Sequence, residues 1–386
     1  MDFTIPKEIQ ALLEECDDFI EREIVPLQAQ DDNERFFDHR REDSRTDWDR
    51  DGLPNKEWEE LLKEMRRRAD AAGLYRYHLP ERFGGRDGTN LGMAIVREHL
   101  ARRGLGLHND LQNESSIIGN LVTVLMMERH GSEAQQAEGI PKMLAGEARI
   151  GFGLTEPKHG SDATWMETTA VRDGDEWIIN GEKYWNTGVH EATHDYMWTF
   201  NMPTDHAHVR LSDVRVSDAY ILGEEGRGLE VAQLFVHENR IRQAAASRGA
   251  GLHCIDVAVD YANDREVFGK RLSSNQAIQW PLAELYSEAE MLRALIWKTA
   301  WQIDEGIAHM EITDKVAMCN YRANRFSCDA ADRAMQTCGG NGYSRHMPFE
   351  HIYRHHRRYR ITEGAEEIQI RKVAGKLFGF TARAKG

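Results

Sequence analysis

The chain has 386 residues, 41% of them hydrophobic, and a formal net charge of -15. That is long enough for two or three domains with cores of their own, and too apolar for a disordered chain. The acidic surplus argues against general affinity for nucleic-acid phosphates or anionic membranes, and no apolar run approaches the ~18 residues that a membrane span needs.

The cysteines, Cys16, Cys254, Cys319, Cys328 and Cys338, are odd in number and form no C-x-x-C pair. A reduced, cytoplasmic setting is the expectation. Residues 2–23 are acidic, with neither a basic leader nor an apolar stretch, so no secretory signal or Arg-rich transit segment is expected.

Residues 1–146 read as an N-terminal helical domain. The spacing of Trp58, Leu61, Leu62, Met65, Ala69 and Ala72 follows the helical period and predicts a helix over 57–72, closed by Gly73. Residues 38–51 mix both charge signs with few apolar side chains and predict a solvated loop. Leu79-Pro80 and Gly84-Gly85 predict another loop. The pattern changes near residue 147. Thr168 to Arg172 is rich in β-branched residues, Asp173-Gly174 predicts a turn, Trp177-Ile178-Ile179 a short strand, and Asn180-Gly181 a second turn. Residues 147–222 are expected to form a small middle β domain. From Gly228 the helical period returns. Met291, Leu292, Leu295, Ile296 and Ile303 mark one helix face, and Ile255, Ala258, Val259 and Ala262 another. Residues 223–386 are expected to form a C-terminal helical bundle, giving a mainly α fold with a small β domain.

Within the β region, Leu154-Thr155-Glu156-Pro157-Lys158-His159-Gly160-Ser161-Asp162 is followed by Asn180-Gly181-Glu182-Lys183-Tyr184-Trp185-Asn186-Thr187. A turn such as Gly160-Ser161 brings backbone N–H groups close to a phosphate or carbonyl. Trp185 is able to cover a flat ring, and Thr155 and Thr187 offer hydroxyls to a heteroaromatic edge. Spacing alone suits a β-hairpin with an exposed Trp equally well. The ordered pair resembles the flavin-binding segment of the acyl-CoA dehydrogenase family, T-E-P-x-x-G-S-D and then N-G-x-K-x-W-x-T. The resemblance implies that Phe152, Leu154, Thr155, Gly160, Ser161, Trp185 and Thr187 bind FAD, with Ser161 also at the acyl-CoA substrate.

A second segment, Thr362-Glu363-Gly364-Ala365-Glu366-Glu367-Ile368-Gln369, is similar to the family's E-G-[ST]-x-E-I-Q. The first Glu of that pattern is the catalytic base in most straight-chain members, and Glu363 matches it. Removing an acyl-CoA α-proton needs a positioned base and a stabilised enolate. A dry acyl pocket would favour protonated Glu363, whereas a following helix N-terminus and nearby arginines would favour the carboxylate; the sequence leaves that balance open. Taken alone, Glu363 would also suit a helix start. Gly364 matches a substrate contact and Glu367 an FAD contact. Ala365 stands where the family usually has Ser or Thr, removing a hydroxyl that helps hold the flavin.

Arg265-Glu266-Val267-Phe268-Gly269-Lys270-Arg271-Leu272, with Asn275-Gln276-Ala277 after it, is similar to the family's R-x-x-F-G-x-x-L…Q. Gln336-Thr337-Cys338-Gly339-Gly340-Asn341-Gly342-Tyr343 is similar to its Q-x-x-G-G-x-G. In the family these segments bind the pyrophosphate and adenine end of an FAD held by a neighbouring subunit. Arg265, Phe268, Gln276, Gln336, Gly339 and Gly340 are thereby further FAD candidates, and a homodimer or homotetramer is expected. Neither these glycines nor those of residues 223–228 follow a strand in the G-x-G-x-x-G manner, which argues against a Rossmann site. Arg240, in Glu238-Asn239-Arg240, matches the family arginine that supports the CoA moiety; a helix-surface Arg is the equal alternative. In the run from Tyr353 to Arg360, His351 and His355 have the spacing of helical metal ligands, but no third ligand is evident and no metal is expected. The run suits charge balance or a CoA phosphate contact, and nucleic acid is not an expected partner.

The resemblance covers nearly the whole chain, since Leu79-Pro80-Glu81-Arg82-Phe83-Gly84-Gly85 is similar to the family's P-E-x-[YF]-G-G. It implies an N-terminal helical domain, a middle β domain and a C-terminal bundle. The implied activity is FAD-dependent α,β-dehydrogenation of an acyl-CoA to the trans-2-enoyl-CoA, with electrons passed to an electron-transfer flavoprotein. An acyl-CoA oxidase or flavin monooxygenase on the same scaffold, or a catalytically weak flavoprotein binding a partner or DNA, is the alternative. One departure is large. Asp213 follows Thr187 by 26 positions, and family members usually use about 35 more, enough for several strands. The middle domain is expected to be shortened and to bind FAD more weakly.

Overall fold

The computed structural model describes residues 4–50, 52–110, 115–148, 150–187, 195–196 and 206–380. Packing divides the chain into two units. Residues 1–41, 60–120 and 239–386 make up one, and residues 42–59 and 121–238 the other.

α1 (Lys7–Phe19) buries Ile9, Leu12, Leu13, Cys16 and Phe19, the stripe expected of an amphipathic helix, and runs through a π-turn into α2 (Val25–Ala29). β1 (Thr46–Asp47) pairs with β2 (Leu53–Pro54), inside and just beyond the stretch expected to be a solvated loop. That expectation is corrected: Arg45 and Thr46 are buried, and the Arg45 guanidinium lies 4.1 Å from the Trp58 ring centroid. An aromatic face gives the buried cation a partner that a charge count cannot reveal. α3 (Lys56–Ala71) is the predicted helix, and Gly73 follows it at φ +73°, a left-handed conformation suited to closing a helix. α4 (Asn90–Arg102) begins at Thr89, whose hydroxyl accepts from the Gly92 N–H at 3.0 Å. α5 (Val122–His130) and α6 (Glu133–Ala145) pack together, with a Ser132–Gln135 capping box starting the second.

The sheet of the second unit is antiparallel, in the order β3 (Thr169–Asp173), β4 (Glu176–Thr187), β6 (His206–Ser217), β5 (Asp195–Tyr196). The turn expected at Asp173-Gly174 forms, with Gly174 at φ +67° and Asp173 paired to Glu176. The turn expected at Asn180-Gly181 does not. β4 runs straight through it, and the register against β6 shifts between Ile179 and Gly181. Asn180 is bonded to Asp213 twice, accepting from its N–H at 2.8 Å and donating to its carboxylate at 3.2 Å. The dipeptide therefore makes a bulge, the other structure that Gly in a strand permits. A Cβ at Gly181 would fall 2.3 Å from Thr168 Oγ1. Residues 188–194 and 197–205, between Thr187 and Asp213 where the domain is expected to be shortened, lie outside the described residues.

The last third comprises α7 (Gly228–Asp264), the hairpin β7 (Glu266–Val267) and β8 (Lys270–Arg271), then α8 (Gln276–Asp304), α9 (His309–Tyr343), α10 (Phe349–Tyr359) and α11 (Glu366–Leu377). α9 packs against α8, α10 and α11. Ile241, Ala245, Leu292, Ile296, Phe326 and Phe349 belong to the core between them. Met291 and Val259, expected on buried faces, are exposed. Each adjoins a buried residue, Leu292 and Ala258, and neighbours in a helix sit 100° apart, so only one of each pair centres on the core. Within the basic run, α10 buries His355, His356 and Tyr359. All five cysteines are free and buried. Among the described residues no helix is long and apolar enough to cross a membrane, and no cluster of three or more His, Cys, Asp or Glu is placed to hold a metal.

Candidate active site

The candidate residues fall into two groups, one in each unit. In the second unit, a single carboxylate organises the loop after residue 152. Glu156 accepts from Lys183 Nζ at 2.8 Å, from the Thr168 N–H at 3.0 Å and from the Glu167 N–H at 2.5 Å. Burial alone would raise its pKa; Lys183 and the backbone donors overcome this and hold it at about 2. The Tyr184 N–H donates to Thr155 O at 2.8 Å, and Lys183 reaches Leu154 O at 3.4 Å, so the loop is stitched to β4. Phe152 stacks on Phe235 with centroids 4.2 Å apart.

β4 carries a second register shift between Lys183 and Asn186, and Trp185 stands in it at φ +62°. A left-handed conformation is rare for a large side chain in a strand and marks stored strain, which gathers at functional sites. It leaves the indole exposed. Asn186 is buried beside it, and its Oδ1 has no hydrogen-bond partner among the described residues. A Cβ at Gly153 would lie 2.3 Å from Asn186 Nδ2, so only glycine permits this approach. Gly160 and Ser161 are exposed, with nothing within 4 Å of a Cβ at Gly160. Thr187 ends β4, opposite His206. An uncovered indole, open glycine backbone and an orphaned buried amide oxygen fit a planar group such as the flavin of FAD.

In the first unit, Glu363 sits at φ +56° and Gly364 at φ +88°, in the turn between α10 and α11. The helix-start alternative for Glu363 is corrected: α11 begins at Glu366, three residues on. The Glu363 carboxylate accepts from Asn239 Nδ2 at 3.3 Å. Its backbone carbonyl accepts from Arg240 Nε at 3.0 Å and Nη2 at 2.5 Å. Arg240 is buried, which overturns the helix-surface reading, and burial lowers its pKa to about 10 against the opposing pull of Glu363. The φ of Gly364 favours glycine, and a Cβ there would lie 3.0 Å from Arg240 Nη2, a tight contact. Gly364 O accepts from Gln369 Nε2 at 2.7 Å. Glu366 closes the turn by accepting from Arg360 Nε and Nη2, each at 2.9 Å, and from Arg325 Nε at 3.0 Å; these bonds hold it at about 2. Glu367 points outward and is exposed.

Elsewhere in this unit Arg265 and Gln276 flank the β7–β8 hairpin, both exposed. Phe268 occupies the hairpin tip at φ +50°, fully exposed. Gln336, Gly339 and Gly340 are exposed near the end of α9. Gly339 breaks that helix with φ +60° and ψ −135°, and nothing lies within 4 Å of a Cβ at Gly339 or Gly340. The same openness suits close approach of a pyrophosphate. Sequence reasoning missed the Glu156–Lys183 pair, Asn186, Asn239, Gln369 and Asn320. Glu156 and Lys183 both stand inside the motifs and bear opposite charges, and Gln369 fills the last position of E-I-Q, which were the available signals; Asn186, Asn239 and Asn320 offered none.

Models of the acyl-CoA dehydrogenase N-terminal, middle and C-terminal domains match residues 28–147, 151–233 and 226–378. The chain is 31% identical to glutaryl-CoA dehydrogenase of Desulfococcus multivorans, over 95% of this chain and 96% of that protein. It is 29% identical to the mitochondrial short-chain specific acyl-CoA dehydrogenase of Homo sapiens, over 97% and 90%. The alignment with the first spans 404 positions against the 386 residues here, so this chain lacks residues that its relative has. Among solved structures it is similar to butyryl-CoA dehydrogenase of Megasphaera elsdenii, with a TM-score of 0.78 and 25% identity over 98% of this chain and all of that one. The chain belongs to the acyl-CoA dehydrogenase family, FAD-dependent oxidoreductases acting on CH–CH bonds.

Proposed function

We propose that this protein converts an acyl-CoA thioester to its trans-2-enoyl-CoA, with Glu363 as the base. The observation that carries the reading is the Glu363 turn. A residue in a strained left-handed conformation is fixed through its backbone carbonyl by buried Arg240, with the neutral amide of Asn239 on the carboxylate. Such a base is oriented through its main chain, and it takes the substrate's α-proton onto the carboxylate. The backbone N–H of Glu363 is assigned to the thioester carbonyl, where it would stabilise developing enolate charge. FAD, when bound, supplies the acceptor for the β-hydride. Phe152, Leu154, Thr155, Gly160, Ser161, Trp185 and Thr187 would hold its flavin half, with Ser161 also touching substrate. Arg265, Phe268, Gln276, Gln336, Gly339, Gly340 and Glu367 would serve its remainder. Gly364 lines the acyl site, and Arg240 supports it by holding the Glu363 turn.

The exposed Phe268 tip supports a homo-oligomer in which that tip meets a neighbour's cofactor. An electron-transfer flavoprotein is the proposed electron acceptor, and a cytoplasmic setting suits the free, buried thiols. Relatives named for glutaryl-CoA, short-chain acyl-CoA and butyryl-CoA make short acyl groups the first to try. Mixing flavinated enzyme anaerobically with a panel of acyl-CoAs should bleach the flavin for at least one. No bleaching across the panel would reject the reading, and rapid reoxidation by O₂ would redirect it to an oxidase.

A further inference from the structure

The Glu363 turn is gripped at two carbonyls, that of Glu363 by Arg240 and that of Gly364 by Gln369. One buried residue joins both grips. Asn320, on α9, donates from Nδ2 to the backbone carbonyl of Arg240 at 3.1 Å and to Gln243 Oε1 at 3.2 Å. Its Oδ1 accepts from Gln369 Nε2 at 3.0 Å and from Asn324 Nδ2 at 3.1 Å. Every hydrogen-bonding capacity of the amide is used.

The orientations of three amides follow from chemistry. The carbonyls of Gly364, Arg240 and Tyr359 can only accept, so Gln369, Asn320 and Asn324 must each turn their nitrogen toward one of them. That leaves Asn320 Oδ1 facing two N–H donors. Flipping any one of the three sets acceptors face to face. The chain continues outward: Ser247 Oγ donates to Asn324 Oδ1 at 2.6 Å and lies 2.8 Å from His356 Nδ1. α7, α9, α10 and α11 thus converge, through directional bonds, on one turn.

We propose that Asn320 is a positioning residue for Glu363, setting the stance of the 363–364 turn through Gln369 and the Arg240 main chain. The proposal rests on the reading of Glu363 as the base. Two successive left-handed residues hold only where their surroundings over-determine them. Asn320 is the point at which those constraints meet. It touches no reacting atom on this account and acts entirely through the turn.

The test uses Asn320→Ala and Gln369→Met in flavinated protein, with Glu363→Gln alongside. Anaerobic flavin bleaching is followed against acyl-CoA concentration and pH. Both positioning variants should keep their FAD and half-saturating concentration. Their limiting rate should fall about ten- to a hundredfold, the scale of an ångström misplacement, with a displaced pH midpoint. Amide exchange at residues 362–365 should quicken while the core of α9 stays protected. Gln369→Met removes the link to the turn and leaves the Asn320–Asn324 and Asn320–Arg240 bonds, so it serves where Asn320→Ala does not fold. Wild-type limiting rates in the positioning variants, beside a lost rate in Glu363→Gln, overturn the inference and leave the base intact. A wild-type rate in Glu363→Gln overturns the base reading instead. The inference then stands or falls on amide exchange, and an unchanged turn in both variants overturns it.

Discussion

Glu156 and Glu363 are both fixed by neighbouring donors, and by opposite means. Glu156 is saturated at its carboxylate by Lys183 and two backbone N–H groups. Glu363 takes its cation on the backbone carbonyl, from Arg240, and its carboxylate accepts a neutral amide. A structural carboxylate is made immobile by occupying its oxygens. Anchoring through the backbone carbonyl fixes the Glu363 turn itself, so the residue that is to accept a proton is oriented by its main chain.

The largest expected effect breaks the comparison on the reactive side. Glu363→Gln should fold and keep FAD while its bleaching rate falls about 10²–10⁴-fold, the usual cost of a lost general base. Near-normal turnover would remove Glu363 from the chemistry. On the structural side, Lys183→Met strands a carboxylate whose side chain is 4% exposed, in a pair whose lysine is 12% exposed. It should cost about 3 kcal/mol of stability in denaturant unfolding at pH 7. The sign with pH follows from the depressed carboxyl. Its stabilisation is whole above about 4.5 and disappears as pH falls toward about 2, so the gap between wild type and variant should narrow across that window. A gap that stays constant with pH would mean that Glu156 is not the group involved. A smaller effect concerns the cofactor. The two motif segments are well anchored, but only 26 positions separate Thr187 from Asp213 and Ala365 lacks a hydroxyl, so FAD should bind about tenfold more weakly than in a relative with a longer connection. Flavin per subunit after dialysis measures this, and one tightly held FAD would show the short domain to be harmless.

The sequence made the motif residues legible because their spacing along the chain reflects local turns. Leu154 to Ser161, Trp185 and Glu363 all sit in short loops, turns or bulges, where local order and structure coincide. What it hid was what those segments lean on. Arg240 and Glu363 are far apart in the chain, as are Asn320 and Gln369, and nothing in a helix asparagine such as Asn320 says that it is buried. Asn180-Gly181 was misread because the backbone freedom that makes a hairpin turn also makes a bulge, and only the partner Asp213 decides between them. Met291 and Val259 were misplaced by a single helical step.

That bulge also sets a clock on the protein's chemical ageing. Asn-Gly is the dipeptide most prone to cyclise and lose its side-chain ammonia, and Asn180 is exposed. Conversion to Asp would replace the N–H that now faces the Asp213 carboxylate with a second negative charge. Like charges placed opposite each other across strands are destabilising. The two hydrogen bonds that now tie Asn180 to Asp213 restrain the side chain from its succinimide geometry, so damage should be slow in the folded protein and fast once it unfolds. Peptide mapping of stored samples, native against heat-unfolded, would read the difference; equal rates would show that the bulge offers this asparagine no shelter.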